Sequence, residues 1–156
     1  MSSGLSHSAA ISQIRLWQLI SPTLPVGAFA YSQGLEFAVE AGWVNDESTT
    51  QDWIVGLLSQ NLGSLDLPLF SRLYIAWKSN DDTSVYYWNN VLQASRESSE
   101  LLAEDGHLGL ALLRLLPEIN VNLTLKWPDD SPPSFITLFS LAAMRCDIPL
   151  NDAAQG

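Results

Sequence analysis

Positive charge is scarce in this sequence, and its scarcity argues against two classes of partner. The 156 residues include seven lysines and arginines against seventeen aspartates and glutamates, for a formal net charge of −10. Nucleic-acid phosphates and anionic lipid head groups repel a chain of that charge, so we expect neither as a partner. Charged residues of both signs make up only 15% of the chain, where about 25% is typical. More of the surface must therefore be neutral or apolar, which is a feature of proteins that contact other proteins.

Cysteine and long apolar runs are also in short supply. The single cysteine, Cys146, excludes an intramolecular disulfide and fits a reducing compartment. No uninterrupted apolar run reaches the roughly eighteen residues of a membrane span. Residues 1–10 lack the basic and apolar regions of a signal peptide. We expect a soluble, cytoplasmic protein in which residues 1–10 form a disordered tail.

Motifs of an active site are missing as well. There is no G-x-x-x-x-G-K-[ST] phosphate loop, and Ser32 does not stand in a G-x-S-x-G context. We therefore predict that the chain is not an enzyme and binds no cofactor. The alternative is a helical metal-binding protein or enzyme subunit that uses Glu104 and His107, because E-x-x-H spacing places both side chains on one helix face. Such a site needs further ligands, and the other histidine, His7, lies in the predicted tail.

The sequence does contain a succession of apolar stripes at helical spacing. They predict an all-α fold without a significant sheet, in a single compact domain of about seven helices over residues 11–156. A capping box of Ser48 and Gln51 is predicted to begin the third helix. Asn61 or Gly63 is predicted to end it. Arg96 is spaced to pair with Glu100. The helices are predicted at residues 11–20, 32–42, 48–63, 66–78, 83–94, 95–116 and 135–145, with a proline-rich extended loop at 117–133.

Residues 21–44, SPTLPVGAFAYSQGLEFAVEAGWV, form the most unusual stretch. Pro22 and Pro25 fix their own φ angles and disfavour a helix, so the first part is predicted to be a loop. A loop without charge must pack on something. Ser32 is predicted to cap a helix that Gly42 ends.

Four residues of this stretch are candidates for partner binding. Phe29 and Tyr31 belong to a Pro/Gly loop and not to a periodic helix face, so we single them out from the aromatic residues that we expect in the core. Two interpretations stay open for Tyr31, Gln33 and Glu36, namely contact with a partner protein or internal packing of the loop. A small-molecule pocket under residues 22–31 is a further alternative.

The same stretch closely resembles the signature of the UreF family of urease accessory proteins. That signature is a leucine-rich helix followed by S-P-x-L-P-x-G-[AS]-[FY]-x-[YH]-S-x-G-L-E and by A-V-E-x-G-x-[VI]. Residues 16–20, 21–36 and 38–44 match these parts in turn. The fixed spacing of prolines and glycines makes the match specific. Its structural positions are Pro22, Pro25, Gly27, Ser32, Gly34 and Gly42.

The resemblance implies a non-catalytic, all-α accessory protein. Family members assemble with a second accessory protein, UreD (UreH in some organisms), and with the GTPase UreG on apo-urease. The complex delivers nickel and supports maturation of the urease metallocentre, with regulation of the GTPase among the proposed roles. We therefore expect a helical scaffold with those three partners and no metal of its own, and the resemblance marks no ligand at His107.

The resemblance departs from the family at the end of the chain. Family members continue for several more helices past the position that matches residues 148–152, whereas this sequence ends at Gly156. We expect a UreF-like domain truncated at its C-terminus. The absent part includes surface that family members use for docking and for dimer formation, so homodimer formation by this chain stays open.

Overall fold

The structure, a computed structural model, describes residues 3–27, 34–128 and 131–155, with the side chains of residues 3–7 and 61 left out. Its described residues are helical with no strand among them, which confirms the predicted all-α fold. The α-helices are α1 Ser3–Leu19, α2 Leu35–Glu40, α3 Glu47–Gly56, α4 Leu67–Ser79, α5 Asp82–Ala94, α6 Ser99–Leu115, α7 Phe135–Arg145 and α8 Leu150–Gln155. A π-helix, Leu57–Asp66, joins α3 to α4, and a 3₁₀ turn, Leu116–Ile119, follows α6.

Helix α7 is the centre of the core. It packs against α4 on one side and α6 on another, while α4 also packs against α5 and α8. Leu73, Leu92, Leu112 and Leu138, one from each of α4 to α7, are completely buried and belong to one contiguous apolar cluster. The predicted α7 bounds, residues 135–145, coincide with those of the structure.

The first helix begins earlier than the sequence predicts. Because α1 starts at Ser3, the prediction of a disordered tail over residues 1–10 is wrong from Ser3 onward, and residues 1 and 2 lie outside the described part. Once a helix has formed, each added residue gains one backbone hydrogen bond, so it extends until a breaker stops it. No proline precedes Ile11. Helix α1 is anchored by Leu16 and Leu19, which are both buried in the core.

The third helix differs from its prediction at both ends. Its N-cap is Asp46, whose carboxylate accepts the Thr49 backbone N–H at 2.8 Å, while the Thr49 hydroxyl oxygen accepts the Asp46 N–H at 3.0 Å. This capping box replaces the predicted one at Ser48. The chain also continues past Gly63 as a π-helix that runs directly into α4, so the predicted break there is wrong. A tertiary contact of the Asp66 side chain with Arg96 accounts for this continuity.

Asp66 lies at the end of the π-helix and is buried against Arg96, which precedes α6. An Arg96 guanidinium nitrogen is 3.1 Å from an Asp66 carboxylate oxygen, and its Nε is 3.5 Å from Asp105 of α6. Arg96 therefore pairs with two residues distant in sequence and not with Glu100, as its spacing predicts. Burial raises the pKa of the Asp66 carboxyl above its ordinary value, against the opposing influence of Arg96.

The first turn of α7 is capped by other helices. The Ser134 N–H donates to Asn89 Oδ1 of α5 at 2.9 Å, and the Phe135 N–H donates to Asp105 Oδ1 of α6 at 3.1 Å. The Ser134 side chain itself makes no capping bond. These contacts satisfy donors that a helix start leaves unpaired, and they fix α7 to both neighbours at once.

Two glycines of α6 allow the segment before α7 to approach closely. A Cβ built on Gly109 would lie 1.8 Å from the Pro133 carbonyl oxygen, and one built on Gly106 would lie 3.0 Å from the Pro132 side chain. The predicted extended loop crosses α6 here, and Gln93 of α5 donates to the Pro132 carbonyl at 2.6 Å. Gly106 and Gly109 thus serve packing, although glycine is a poor helix former.

We expect Gly109→Ala to destabilise the protein by about 2–3 kcal/mol or more, because the new methyl group meets backbone atoms that cannot swing aside. Urea unfolding followed by circular dichroism measures the effect. The matched control is Gly56→Ala, also helical but with no atom within 4 Å of the added Cβ. That change should be neutral or stabilise by up to about 1 kcal/mol. Equal effects of the two substitutions would contradict the close approach.

We expect Arg96→Met to destabilise the protein by about 3 kcal/mol near pH 7, since it leaves two buried carboxylates without their cation. Removal of Arg96 also removes the influence that lowers the pKa of Asp66. A carboxyl with a raised folded-state pKa favours folding at acid pH and loses that contribution as pH rises through this pKa. The deficit should therefore shrink near pH 4.

Urea unfolding of the wild type and variant at both pH values checks this prediction. Arg114→Met, which removes an exposed arginine of α6, is the matched control and should have little effect at either pH. An Arg96→Met deficit that is the same at both pH values would show that lost packing, and not unpaired charge, causes it.

Candidate functional site

Helix α2 presents an exposed apolar surface that its two ends hold in place. Gly34 precedes the helix with φ +81°, and Gly42 follows it with φ +75°, both in the left-handed region that favours glycine. At the end of the helix the Trp43 N–H donates to the Ala38 carbonyl at 2.8 Å and the Gly42 N–H to the Val39 carbonyl at 3.0 Å. This Schellman motif turns the chain back, so that Trp43 lies beside the helix it follows.

Phe37 and Trp43 pack on each other and not in the core. Their ring centroids are 5.4 Å apart at an interplanar angle of 84°, an edge-to-face contact. Each is 61% exposed, and Val39, on the other side of the buried Ala38, is also exposed. We call Glu36, Phe37, Val39 and Trp43 the α2 patch. Large aromatic side chains placed on a surface in this way are typical of protein interfaces.

Of the four predicted partner-binding residues, the structure describes one. Phe29, Tyr31 and Gln33 lie outside the described residues, so their roles stay predictions. Glu36 is exposed at the start of α2 and belongs to the α2 patch. It takes part in none of the ion pairs among the described residues.

The helix start also differs from its prediction. The first residue of α2 is Leu35 and its N-cap is Gly34, which makes no side-chain capping bond, so α2 is shorter than the helix predicted at residues 32–42. Ser32 itself lies outside the described residues. A residue at φ +81° cannot continue a right-handed helix, and this explains why the helix does not extend back across Gly34.

The described part of the loop before α2 is partly packed on the core. Val26 is buried and Leu24 is half-buried against the same apolar cluster as α1. Pro22 and Pro25 are exposed in the turns of this segment. Gly27 has φ +77°, and no described atom lies within 4 Å of a Cβ built on it. These turns carry the chain from α1 toward the residues that precede α2. The small-molecule pocket predicted under residues 22–31 includes residues outside the described part and stays a prediction.

Glu104 and His107 lie on α6, away from any group of candidate metal ligands. Within residues 3–27, 34–128 and 131–155, no three His, Cys, Asp or Glu side chains lie together as a metal site would require. Glu104 is half-buried, and burial, with a contribution from the Asp105 charge, raises the pKa of its carboxyl. His107 is exposed. Gly106 between them has the packing role described above.

Sequence reasoning did not single out Phe37 and Trp43. Phe37, Ala38 and Val39 are consecutive apolar residues, and successive helical residues point about 100° apart, so they cannot all face the core. Ala38 is the one that is completely buried. The signal was therefore present in the sequence, since burial of the small residue forces its two larger neighbours outward.

The chain is similar in sequence to one known protein family and to curated proteins of that family. The model of the family described as UreF matches residues 44–156. The urease accessory protein UreF of Alkalilimnicola ehrlichii is 48% identical over 145 residues, which cover 93% of this chain and 64% of that protein. Those of Teredinibacter turnerae and Hahella chejuensis are 47% and 45% identical over 146 residues each, covering 92% and 94% of this chain and 64% and 65% of their own lengths.

The extent of these matches has two consequences. Because the match to the first relative covers 93% of this chain, it includes residues 21–44, where the α2 patch lies. The chain spans just under two thirds of the length of these curated relatives.

In the part of the chain that the structure describes, none of the helices is long and apolar enough to cross a membrane. By the family match and by its identity to these relatives, the chain belongs to the UreF family of urease accessory proteins.

Proposed function

We propose that the chain is a non-catalytic helical scaffold of urease maturation. It assembles in the cytoplasm with a UreD/UreH-type accessory protein and a UreG-type GTPase on apo-urease, and supports insertion of nickel into the metallocentre. In this proposal the nickel is cargo of the assembly and not a resident ion of this chain. Because the chain spans just under two thirds of its relatives' length, the proposal concerns what this portion contributes, namely a docking surface on a stable core.

The observation that carries the proposal is the α2 patch. Phe37 lies on a short helix whose buried residue is Ala38, and Trp43 follows that helix. An aromatic pair that contacts itself contributes little to the core, whereas burial of exposed aromatic groups is a main source of affinity at interfaces. Glu36 adds an unpaired charge at the edge of the patch, where it can orient a partner.

Co-purification tests the proposal directly. The chain is expressed with the UreD/UreH-type and UreG-type proteins of the same organism, and each complex is analysed by sizing chromatography. A complex that includes either partner supports the proposal, and a well-folded chain that binds neither contradicts it. The same sizing run on the chain alone measures whether it forms the homodimer that the family resemblance leaves open.

We expect Phe37→Ala to weaken complex formation by about tenfold or more, because an aromatic side chain at an interface centre contributes on the order of 2 kcal/mol. The matched control is Tyr87→Ala, which removes a side chain of similar exposure, 59%, from α5. Both variants should keep the circular dichroism spectrum of the wild type. Equal losses of binding would mean that general surface hydrophobicity, and not the α2 patch, supports the complex.

We expect Glu36→Ala to weaken the complex by a smaller factor, about two- to fivefold, because charges at the edge of an interface act mainly on the association rate. Raised salt should diminish the difference between variant and wild type. Tyr31→Ala tests the neighbouring predicted contact in the same assay. If any of these substitutions unfolds the chain, the residue concerned serves the core and its assignment to the interface is wrong.

A nickel titration of the isolated chain by calorimetry addresses the alternative metal-binding function. The scaffold proposal predicts no tight, stoichiometric site that depends on position 107. Tight binding that His107→Ala abolishes would instead favour the alternative, with Glu104 as a second ligand.

A further inference from the structure

A second apolar surface lies on α3 and the π-helix. Ile54, Val55, Leu58 and Leu62 recur along one side of these two elements, and each is between 45% and 55% exposed. We call these four residues the outer stripe. Farther along the same element, Leu65 is half-buried against the core and Asp66 is buried against Arg96.

The outer stripe cannot be drawn into the core by a small rotation of its helix. The Asp66–Arg96 ion pair fixes the rotation of the π-helix at one end. The capping box at Asp46 fixes the start of α3 at the other. A rotation of the π-helix would break this ion pair and leave a buried carboxylate without its cation.

The charged residues near the outer stripe in sequence are all acidic. From Leu16 to Ser71 the sequence contains no lysine, arginine or histidine. Glu47 and Asp52 on α3 are both exposed, and among the described residues neither takes part in an ion pair. The helix that carries Ile54 and Val55 of the stripe therefore also carries two exposed carboxylates, which form no ion pair among the described residues.

We propose that the outer stripe binds an amphipathic helix of a partner protein whose apolar face is flanked by lysine or arginine. The stripe extends roughly 10 Å along the helix axis, which matches about two turns of a helix laid against it. Apolar side chains at such spacing receive a helix face in the manner of helix-in-groove recognition. The flanking cations of the partner complement Glu47 and Asp52.

The same charges disfavour two other occupants. A second copy of the chain would bring its own carboxylates against these, since its segment from Leu16 to Ser71 also lacks a cation. An anionic membrane surface would be repelled as well. The outer stripe shares no residue with the α2 patch, so the inference does not depend on the function proposed above.

Binding of a synthetic peptide pair tests the inference on the whole chain. One peptide is an amphipathic helix of leucine and lysine, and the other has the same leucine positions with glutamate in place of lysine. We expect the lysine peptide to bind, as measured by fluorescence anisotropy, and Leu58→Ser to weaken it by about tenfold or more. The matched control, Ile75→Ser, removes a side chain that is 60% exposed on α4 and should change the affinity by less than about twofold.

A second pair of variants separates charge complementarity from general attraction to an acidic protein. Glu47→Gln with Asp52→Asn removes the two carboxylates beside the outer stripe. Glu97→Gln with Glu118→Gln removes two exposed carboxylates elsewhere and changes the net charge equally. We expect the first pair to weaken binding several-fold more than the second.

Three results would overturn the inference. If all variants bind the lysine peptide equally, its attraction is general and the outer stripe is not its site. If the glutamate peptide binds as well as the lysine peptide, the stripe accepts a helix but the stated partner chemistry is wrong. If the chain forms a dimer that Leu58→Ser dissociates on sizing, the occupant is a second copy and not a basic helix.

Discussion

One half-buried arginine connects parts of this fold that are separated in sequence. Arg96 precedes α6 and reaches Asp66 at the end of the π-helix and Asp105 on α6. The second oxygen of Asp105 accepts the Phe135 N–H at the start of α7. A single charge network therefore sets the rotation of the π-helix, the position of α6 and the first turn of the central helix. Because a buried charge without a partner is costly, these elements must adopt their arrangement together.

The position of the start of α7 is fixed by this network and by close packing together. Asn89 and Asp105 come from helices on different sides, and both accept backbone N–H groups of the same turn. Their oxygens reach those groups only if the segment before α7 lies directly on α6. The absence of side chains at Gly106 and Gly109 permits that contact. Hydrogen bonding and steric fit thus impose one geometry, and this rigidity provides the base on which α2 and α3 are displayed.

Local sequence patterns predicted the features that local chemistry determines. The bounds of α7 follow from its apolar spacing and flanking breakers. The predictions failed where contacts between distant residues decide the outcome. Arg96 has a suitable partner in Glu100 one turn away, yet it pairs with residues brought close only by the fold. The chain continues helically past Gly63 because residue 66 is held by that same ion pair. For the candidate site, the sequence singled out residues 21–44 and Glu36, whose binding roles stay predictions, while the exposure of Phe37 depended on which neighbour is buried.

The distribution of charge bears on which molecules the α2 patch and the outer stripe can bind. Both surfaces lie in the segment between Arg15 and Arg72, which contains acidic residues and no cation. Apolar patches alone would favour association of identical molecules, because the hydrophobic effect does not select a partner. Carboxylates beside each patch add repulsion whenever two copies meet, and the same carboxylates attract a surface of opposite charge. Apolar burial can then supply affinity while charge decides which protein receives it.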